Sequence, residues 1–423
     1  AWLTLRTGGF PQRNLGRALT LSLGREARRK GRGGVSPFGS LMTALATSVG
    51  TGNIVGVAAA LVSGGPGALV WMELAALLGL AAKFAECMLA VKYRRVRRDG
   101  TRWGGPMAVM ETRLGSAGAV LGRFYALFAL LMAFAMGAMA QSGALADTFS
   151  AAFTLPRWRV GLVTAALALT ILLGGIRRIA DISTVLVPVM ALLYLGGGLA
   201  VILGNLRRLP EAVTLMLRCA VAPEAALGGA LGIVTRREAL RWGVARSVFS
   251  NEAGLGSAAI TAACADTEDP VKQGLISMTG VFFDTMVICT VTGLAICCSG
   301  TLGAADGNGR PLTGAALTLR AFETVLGPLA PWLIGVALGL FAFTSVLGCA
   351  VQAETTASYL LGPEAVRPCR VLYGLAVFAG AVIPMAAVLQ LADLANALMA
   401  FPNLVCLLLL SDEIAGEGRR KDR

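Results

Sequence analysis

Long apolar runs constrain this chain more than any other feature. Tyr125–Ala140, Gly161–Ile176, Thr184–Leu203, Gly280–Cys298, Trp332–Ala350, Val371–Leu391 and Leu398–Leu410 lack the polar face that a helix on a soluble core alternates with. Runs approaching the ~20 residues needed to cross a bilayer predict transmembrane helices. Composition agrees, since 14% of the 423 residues are charged against about 25% in a typical soluble domain. This excludes an ordinary cytosolic enzyme and makes membrane lipid the surrounding medium.

Several function classes drop out next. The formal net charge of +13 invites a nucleic-acid reading, but the basic residues sit between apolar runs and form no stripe interleaved with aromatics. Nucleic acid is therefore not an expected partner. The chain contains no histidine, which removes the commonest proton relay, the commonest metal ligand and every Ser-His or Cys-His nucleophile pair. The nine cysteines show no CxxC spacing and mostly lie within apolar runs, as small core hydrophobes do. No catalytic residues and no enzymatic cofactor are expected.

Read in order, the chain gives helix 1 near 36–62, helix 2 near 68–92, helix 3 near 120–149, helix 4 near 159–176 and helix 5 near 183–204. A polar, amphipathic connection leads to helix 6 near 239–264, helix 7 near 273–300, helix 8 near 329–361, helix 9 near 369–390 and helix 10 near 393–411. With the first residues inside, alternation puts 25 Lys and Arg on the inner side and 11 on the outer. The positive-inside rule supports that orientation. The expected organisation is a cytoplasmic basic segment (1–34), helices 1–5 (35–204), an external connection (205–238), helices 6–10 (239–411) and a cytoplasmic tail (412–423).

Two segments do not read as plain spans. Helix 1 is interrupted by Val49-Gly50-Thr51-Gly52-Asn53 and helix 6 by Ser250-Asn251-Glu252-Ala253-Gly254-Leu255-Gly256-Ser257. Each interior glycine costs a helix about 1 kcal/mol, so such runs favour unwinding. Unwound backbone survives in a bilayer only where it lines an enclosed cavity. Helix 1 opens the first set of five helices and helix 6 the second, the pattern of two inverted repeats with a solute site at their midplane. Close packing through small residues is the alternative reading, but Asn53, Asn251 and Glu252 need polar partners that lipid does not supply.

The residues also carry a resemblance. SPFGSLMTALATSVGTGNIVGVAAAL (36–61), GGPGALVWMELAALLGLAAKFAE (64–86), GGPM (104–107), GVARSVFSNEAGLGSAA (243–259), DPVKQGL (269–275), FAFTSVLG (341–348) and LADLANALMAFPNL (391–404) resemble the alanine or glycine:cation symporter family almost end to end. The resemblance implies an all-α integral membrane protein with a leucine-transporter-type fold, two inverted five-helix repeats with broken helices 1 and 6. It implies secondary active import of alanine or glycine coupled to Na+. An H+-coupled or broader-specificity amino-acid transporter is the alternative. Family members usually carry one more hydrophobic segment upstream of the stretch where this chain begins. The chain departs from the family at Ala108-Val109, near Glu73, near Thr261 and at Cys349–Gln352, departures that bear on substrate preference and rate.

A zwitterionic substrate needs donors for its carboxylate and oxygens for its ammonium. The expected substrate-binding residues are Thr51, Gly52 and Asn53 on helix 1, Gln141 on helix 3, and Phe249, Ser250, Asn251 and Gly254 on helix 6, with Phe249 as a lid or side wall. A helix-to-helix hydrogen bond is an equal reading of Gln141. Lys83 and Glu86, three apart on helix 2, suit a structural or gating ion pair. Asp284 and Glu354 are further intramembrane acids, functional candidates or packing partners. For Thr344 and Ser345 on helix 8, one reading bonds each hydroxyl to a carbonyl in its own helix. In the other, supported by the resemblance, both join the carbonyls of Ala46 and Val49 in an all-oxygen Na+ site, the kind of shell a hard cation prefers.

Overall fold

The computed structural model describes residues 1–30, 35–96, 100–153, 155–221, 224–226, 233–307, 309–383 and 385–422. Local chemistry fixes where several spans begin. Helix 1 starts at Pro37, behind Ser36, whose hydroxyl accepts from the Gly39 N–H at 3.0 Å. Helix 7 starts at Pro270 behind Asp269, which caps Lys272 N. Helix 6 starts at Arg236 behind Thr235, which forms a reciprocal capping box with Glu238 in the first turn. Each device satisfies backbone donors that have no partner in the first turn.

Among the described residues, seven helices are long and apolar enough to span a membrane, eight with the bent first helix. Helix 1 runs Pro37–Ser48 and resumes over Gly52–Gly64 after a 53° bend. The other qualifying spans are helix 2 (Gly67–Lys92), helix 3 (Pro106–Ser150), helix 5 (Gly175–Gly204), helix 7 (Pro270–Ser299), helix 8 (Leu329–Leu361), helix 9 (Pro363–Val382) and helix 10 (Val388–Leu409, within a helix that begins at Met385). Helix 4 (Arg157–Leu172) is shorter, and helix 6 is broken into Arg236–Asn251 and Ser257–Ala263. Helix 2 packs chiefly on helices 6 and 7, helix 9 on helix 4, helix 8 on helix 3, and helix 10 on helix 3.

Several expected bounds shift, for identifiable reasons. Helix 3 begins at Pro106, not near 120, because its buried first turn, Pro106–Met110, is cut off from the apolar run by Glu111, Arg113 and a break at Gly115 (φ 61°). Helix 4 ends at Leu172, and helix 5 starts at Gly175 (φ 67°), so Arg177 and Arg178 lie in a first helical turn. Helix 9 stops at Val382 instead of continuing to 390. Ile383 is extended (ψ 146°), as suits a residue that precedes a proline, here Pro384. The terminal and connecting segments also hold unassigned helices, at Leu15–Leu23, Leu209–Val221, Gly314–Leu326 and Ser411–Asp422. All are too short or too polar to span.

The first of these helices lies within a terminal segment that is anchored by packing. Phe10 is buried edge-on against Phe84 of helix 2, ring centroids 5.6 Å apart. The C-terminal helix is held by charge. Glu413 pairs with Lys92 (2.7 Å) and Arg113 (3.1 Å) and accepts from Tyr93, Asp412 pairs with Arg6, and Lys421 reaches Asp269 at 2.6 Å. Both termini thus meet the ends of helices 2 and 7 on one face of the bundle.

Candidate functional site

The two breaks face each other across the bundle interior. Val49 is extended where helix 1 stops. The chain re-enters a helix through a π turn, Gly52–Gly56. Helix 6 stops at Asn251, with Glu252 in the left-handed region at φ 54°, followed by Gly254 (φ 89°) and Gly256 (φ 79°). Among the described residues Glu252 is the one non-glycine with positive φ, a conformation that costs of order 1–3 kcal/mol and that persists where the surroundings enforce it. Two further π segments, Ala133–Ala140 in helix 3 and Phe282–Cys289 in helix 7, flank the breaks. Such segments are frequent at functional sites.

A polar network fastens the first break to helices 6 and 7. Asn53 Oδ1 accepts from the Gly50 N–H at 3.0 Å, and its Nδ2 donates to Asp284 Oδ1 at 2.7 Å and to Ser250 Oγ at 3.1 Å. Ser250 Oγ and Thr285 Oγ1 both donate to Asp284 Oδ2, at 2.7 and 3.1 Å. Asn53, Ser250 and Asp284 are all buried. The side chain of Asn251 takes a different direction, donating to Ser247 and Thr285 and accepting from the Ala253 N–H.

A second cluster braces the break in helix 6. Glu86 Oε2 accepts from the backbone N–H groups of Gly254 and Gly256, both at 3.1 Å, and from Asn403 Nδ2 at 3.2 Å. Lys83 Nζ lies 3.5 Å from Glu86 Oε1 and donates to the Glu252 carbonyl at 3.2 Å. The helix 2 ion pair therefore replaces partners that unwinding removed from the helix 6 backbone. Glu354 has another task. It receives both donors of Arg370 at 2.8 Å, a bidentate pair joining helix 8 to helix 9.

Between the breaks lies a cavity lined by helix 1 (Thr47, Ser48, Gly50, Gly52), helix 3 (Met132, Met136, Gln141), helix 6 (Phe249, Glu252), Cys349 and Asn396. Phe249 lies over Gly52, whose added Cβ would come within 3.4 Å of the ring, and the Arg246 guanidinium lies over the Phe249 ring at 5.5 Å from its centroid. Gln141 is buried and its Oε1 has no hydrogen-bond partner among the described residues.

Of the expected substrate residues, Gly52, Gln141 and Phe249 line the cavity, and Asn53 and Ser250 bond to Asp284 beside it. Thr51 lies within the break, partly exposed. Asn251 turns to helix 7, and Gly254 is bonded to Glu86 and Asn403. At the expected cation site, Ala46 and Val49 are buried on helix 1. Thr344 Oγ1 donates back to Leu340 O and Phe341 O, both at 3.0 Å, with Met190 Sδ nearby. Ser345 Oγ is buried without a partner among the described residues, and a Cβ on Gly50 would come within 3.0 Å of it. Glu252, Cys349 and Asn396 are cavity residues that sequence reasoning did not assign to the site.

Comparison with known proteins follows the same lines. The family model described as the Sodium:alanine symporter family matches residues 1–419. The chain is 40% identical over 418 residues to the Sodium/alanine symporter AgcS of Methanococcus maripaludis, covering 98% of this chain and 90% of that protein. It is 37% identical over 393 residues to a Bacillus subtilis protein named "Probable sodium/glutamine symporter GlnT", covering 91% and 78%. Among solved structures, MhsT in complex with L-phenylalanine superposes with a TM-score of 0.62 at 13% identity, covering 88% of each chain. The fold is thus of leucine-transporter type, with broken first and sixth helices.

Proposed function

The chain belongs to the sodium:alanine symporter family, and from that membership we propose that it imports a small neutral amino acid, alanine or glycine, together with Na+ by alternating access. It is a multi-pass plasma-membrane protein and a sodium-coupled amino-acid transporter. The finer reading rests on one observation above all: two helix breaks enclose a cavity whose wall carries backbone, an amide, an acid and an aromatic side chain, with the Phe249 ring lying over Gly52. The substrate residues of this reading are Thr51, Gly52, Asn53, Gln141, Phe249, Ser250, Asn251 and Gly254. Gln141, Gly52 and Phe249 make direct contact, and Asn53, Ser250 and Asn251 hold the break in shape. Residues 1–34 and 412–423 lie on the cytoplasmic side, as the distribution of basic residues supports. Domain bounds follow the same plan, 35–204 and 239–411 forming the two repeats on either side of the 205–238 connection.

Na+ binds between helices 1 and 8, at the carbonyls of Ala46 and Val49 with Ser345 and Thr344. The unpartnered Ser345 hydroxyl beside Gly50 supports this placement, while Thr344 must release its carbonyls in its own helix to take part. A proton-linked cycle is the second reading. It is favoured by Asp284, a fully buried carboxylate with three side-chain donors and no cationic partner among the described residues. Uptake of labelled alanine, glycine and glutamine into proteoliposomes tests the assignment. Accumulation driven by an inward sodium gradient is expected; accumulation driven by a proton gradient alone would overturn sodium coupling.

A further inference from the structure

The cavity holds one charged side chain among its described lining residues, Glu252. It is 7% exposed. Thr47 Oγ1 donates to its Oε2 at 3.4 Å and Ser257 Oγ donates to the same oxygen. No described group donates to Oε1. Lys83 makes no close ion pair with this carboxylate: its ammonium donates to the Glu252 backbone carbonyl and pairs with Glu86, so its charge acts on the Glu252 side chain only at longer range. A buried carboxylate without a close cation is disfavoured in its ionised form, and either a proton or a bound cation relieves that cost.

Two more residues that line the same cavity carry a buried acceptor without a partner among the described residues, Gln141 Oε1 and Asn396 Oδ1. Three free oxygens, one of them charged, match the three N–H donors of a primary ammonium. Resting on the amino-acid reading above, we infer that Glu252, with Gln141 and Asn396, anchors the ammonium of the transported amino acid. The left-handed backbone at Glu252 fits this role. Glycine takes that conformation freely and glutamate does so under strain, so an acid here points to chemistry that glycine lacks. The same turn places the carboxylate at the end of the first half of helix 6, opposite the broken backbone of helix 1.

The anchor makes a selectivity prediction that a bracing role does not. Replacing the ammonium by hydroxyl removes the cation, and methylating it removes one donor. In the full-length protein in nanodiscs at saturating Na+, the ligand is whichever of alanine, glycine and glutamine binds best to the unaltered protein, and the competitors are its 2-hydroxy and N-methyl analogues. Glu252→Gln should weaken the amino acid roughly ten- to hundredfold and leave the 2-hydroxy acid unchanged, so that the preference collapses. Glu252→Asp should keep the preference. If Glu252→Gln weakens both ligands equally, the residue only braces the break. If it shifts the sodium requirement with preference intact, it binds the coupling ion; either result overturns the inference. Should Glu252→Gln fail to assemble, Asn396→Leu reads the same prediction from helix 10, with a narrowed gap between the amino acid and its N-methyl analogue expected and an unchanged gap overturning it. Unaltered protein that binds none of the three amino acids overturns the transport reading itself, a result distinct from retained preference in the variants.

Discussion

Asn53 donates its side-chain amide to Asp284 Oδ1 at 2.7 Å while its own carbonyl oxygen accepts from the Gly50 N–H. One residue thus closes the first helix break on itself and ties it to the π segment of helix 7. Asn53→Ala removes both links and leaves Asp284 short of a donor. A loss on the order of 2–3 kcal/mol is expected, in the range for removing a partner of a buried charged group. Thermal unfolding in detergent checks it, and an unchanged midpoint would show that the network contributes little.

Gly52 meets the Phe249 ring at the edge of van der Waals contact, an added Cβ falling at 3.4 Å. Alanine there is tolerated with a small shift of the ring. Valine adds two methyl groups in the same place and stiffens χ1, so Gly52→Val should abolish amino-acid binding while the protein still inserts. Normal binding by a correctly folded Gly52→Val variant would remove this face of the break from the substrate site.

The two hydroxyls of helix 8 should behave differently. Ser345 Oγ is free beside Gly50, whereas Thr344 Oγ1 is bonded within its own helix. Ser345→Ala should raise the sodium concentration for half-maximal binding and weaken the amino acid chiefly at low sodium, since each ligand tightens the other by the same factor. Thr344→Ala should do the same only to the extent that Thr344 exchanges its helical bonds for the ion. Titrations of both variants that match the unaltered protein would move the cation to the Asn53 and Asp284 network.

Glu413, beyond the last span, makes stability depend on acid. Burial tends to raise its pKa, but the hydrogen bonds from Lys92 and Tyr93 and the charges of Lys92 and Arg113 outweigh this and hold it below the usual 4.5. A depressed carboxylate contributes stability that is present above its unfolded value and is lost as pH falls through the folded one. The C-terminal helix should therefore loosen below about pH 4.5, where the unfolded-state group begins to take up its proton. Limited trypsin digestion at Arg419 and Arg420 across that range reads the release, and Glu413→Gln should expose the same bonds at neutral pH.

Much of the fold was legible because membranes simplify the code. Apolar length marked the spans, and glycine with Asn or Glu inside them marked the breaks at Gly50–Asn53 and Asn251–Gly256. Where the apolar signal was cut short by charges, as by Glu111 and Arg113 in helix 3, or was amphipathic, as in Gly314–Leu326, the helix was not legible. The site was legible only in part. The spacing of Lys83 and Glu86 announced a pair, but nothing local shows that Glu86 reaches Gly254 and Gly256 some 170 residues away. The left-handed turn at Glu252 and the approach of Asn396 arise from long-range packing. The difference between Thr344 and Ser345 is one of helix rotation, set by which neighbour, Met190 or Gly50, each adjacent position faces.

The bond from Glu86 to the second break also limits how the protein can move. Because a side chain of helix 2 holds the N–H groups of Gly254 and Gly256, and Lys83 holds the Glu252 carbonyl, the segment leading into Ser257–Ala263 is clamped to helix 2. A hinge at the helix 6 break cannot swing that half alone without tearing a buried charge from its donors. Helix 2 must travel with it, as a lever whose fulcrum is the brace, and any opening of the pathway on that side displaces two helices for every one that is broken.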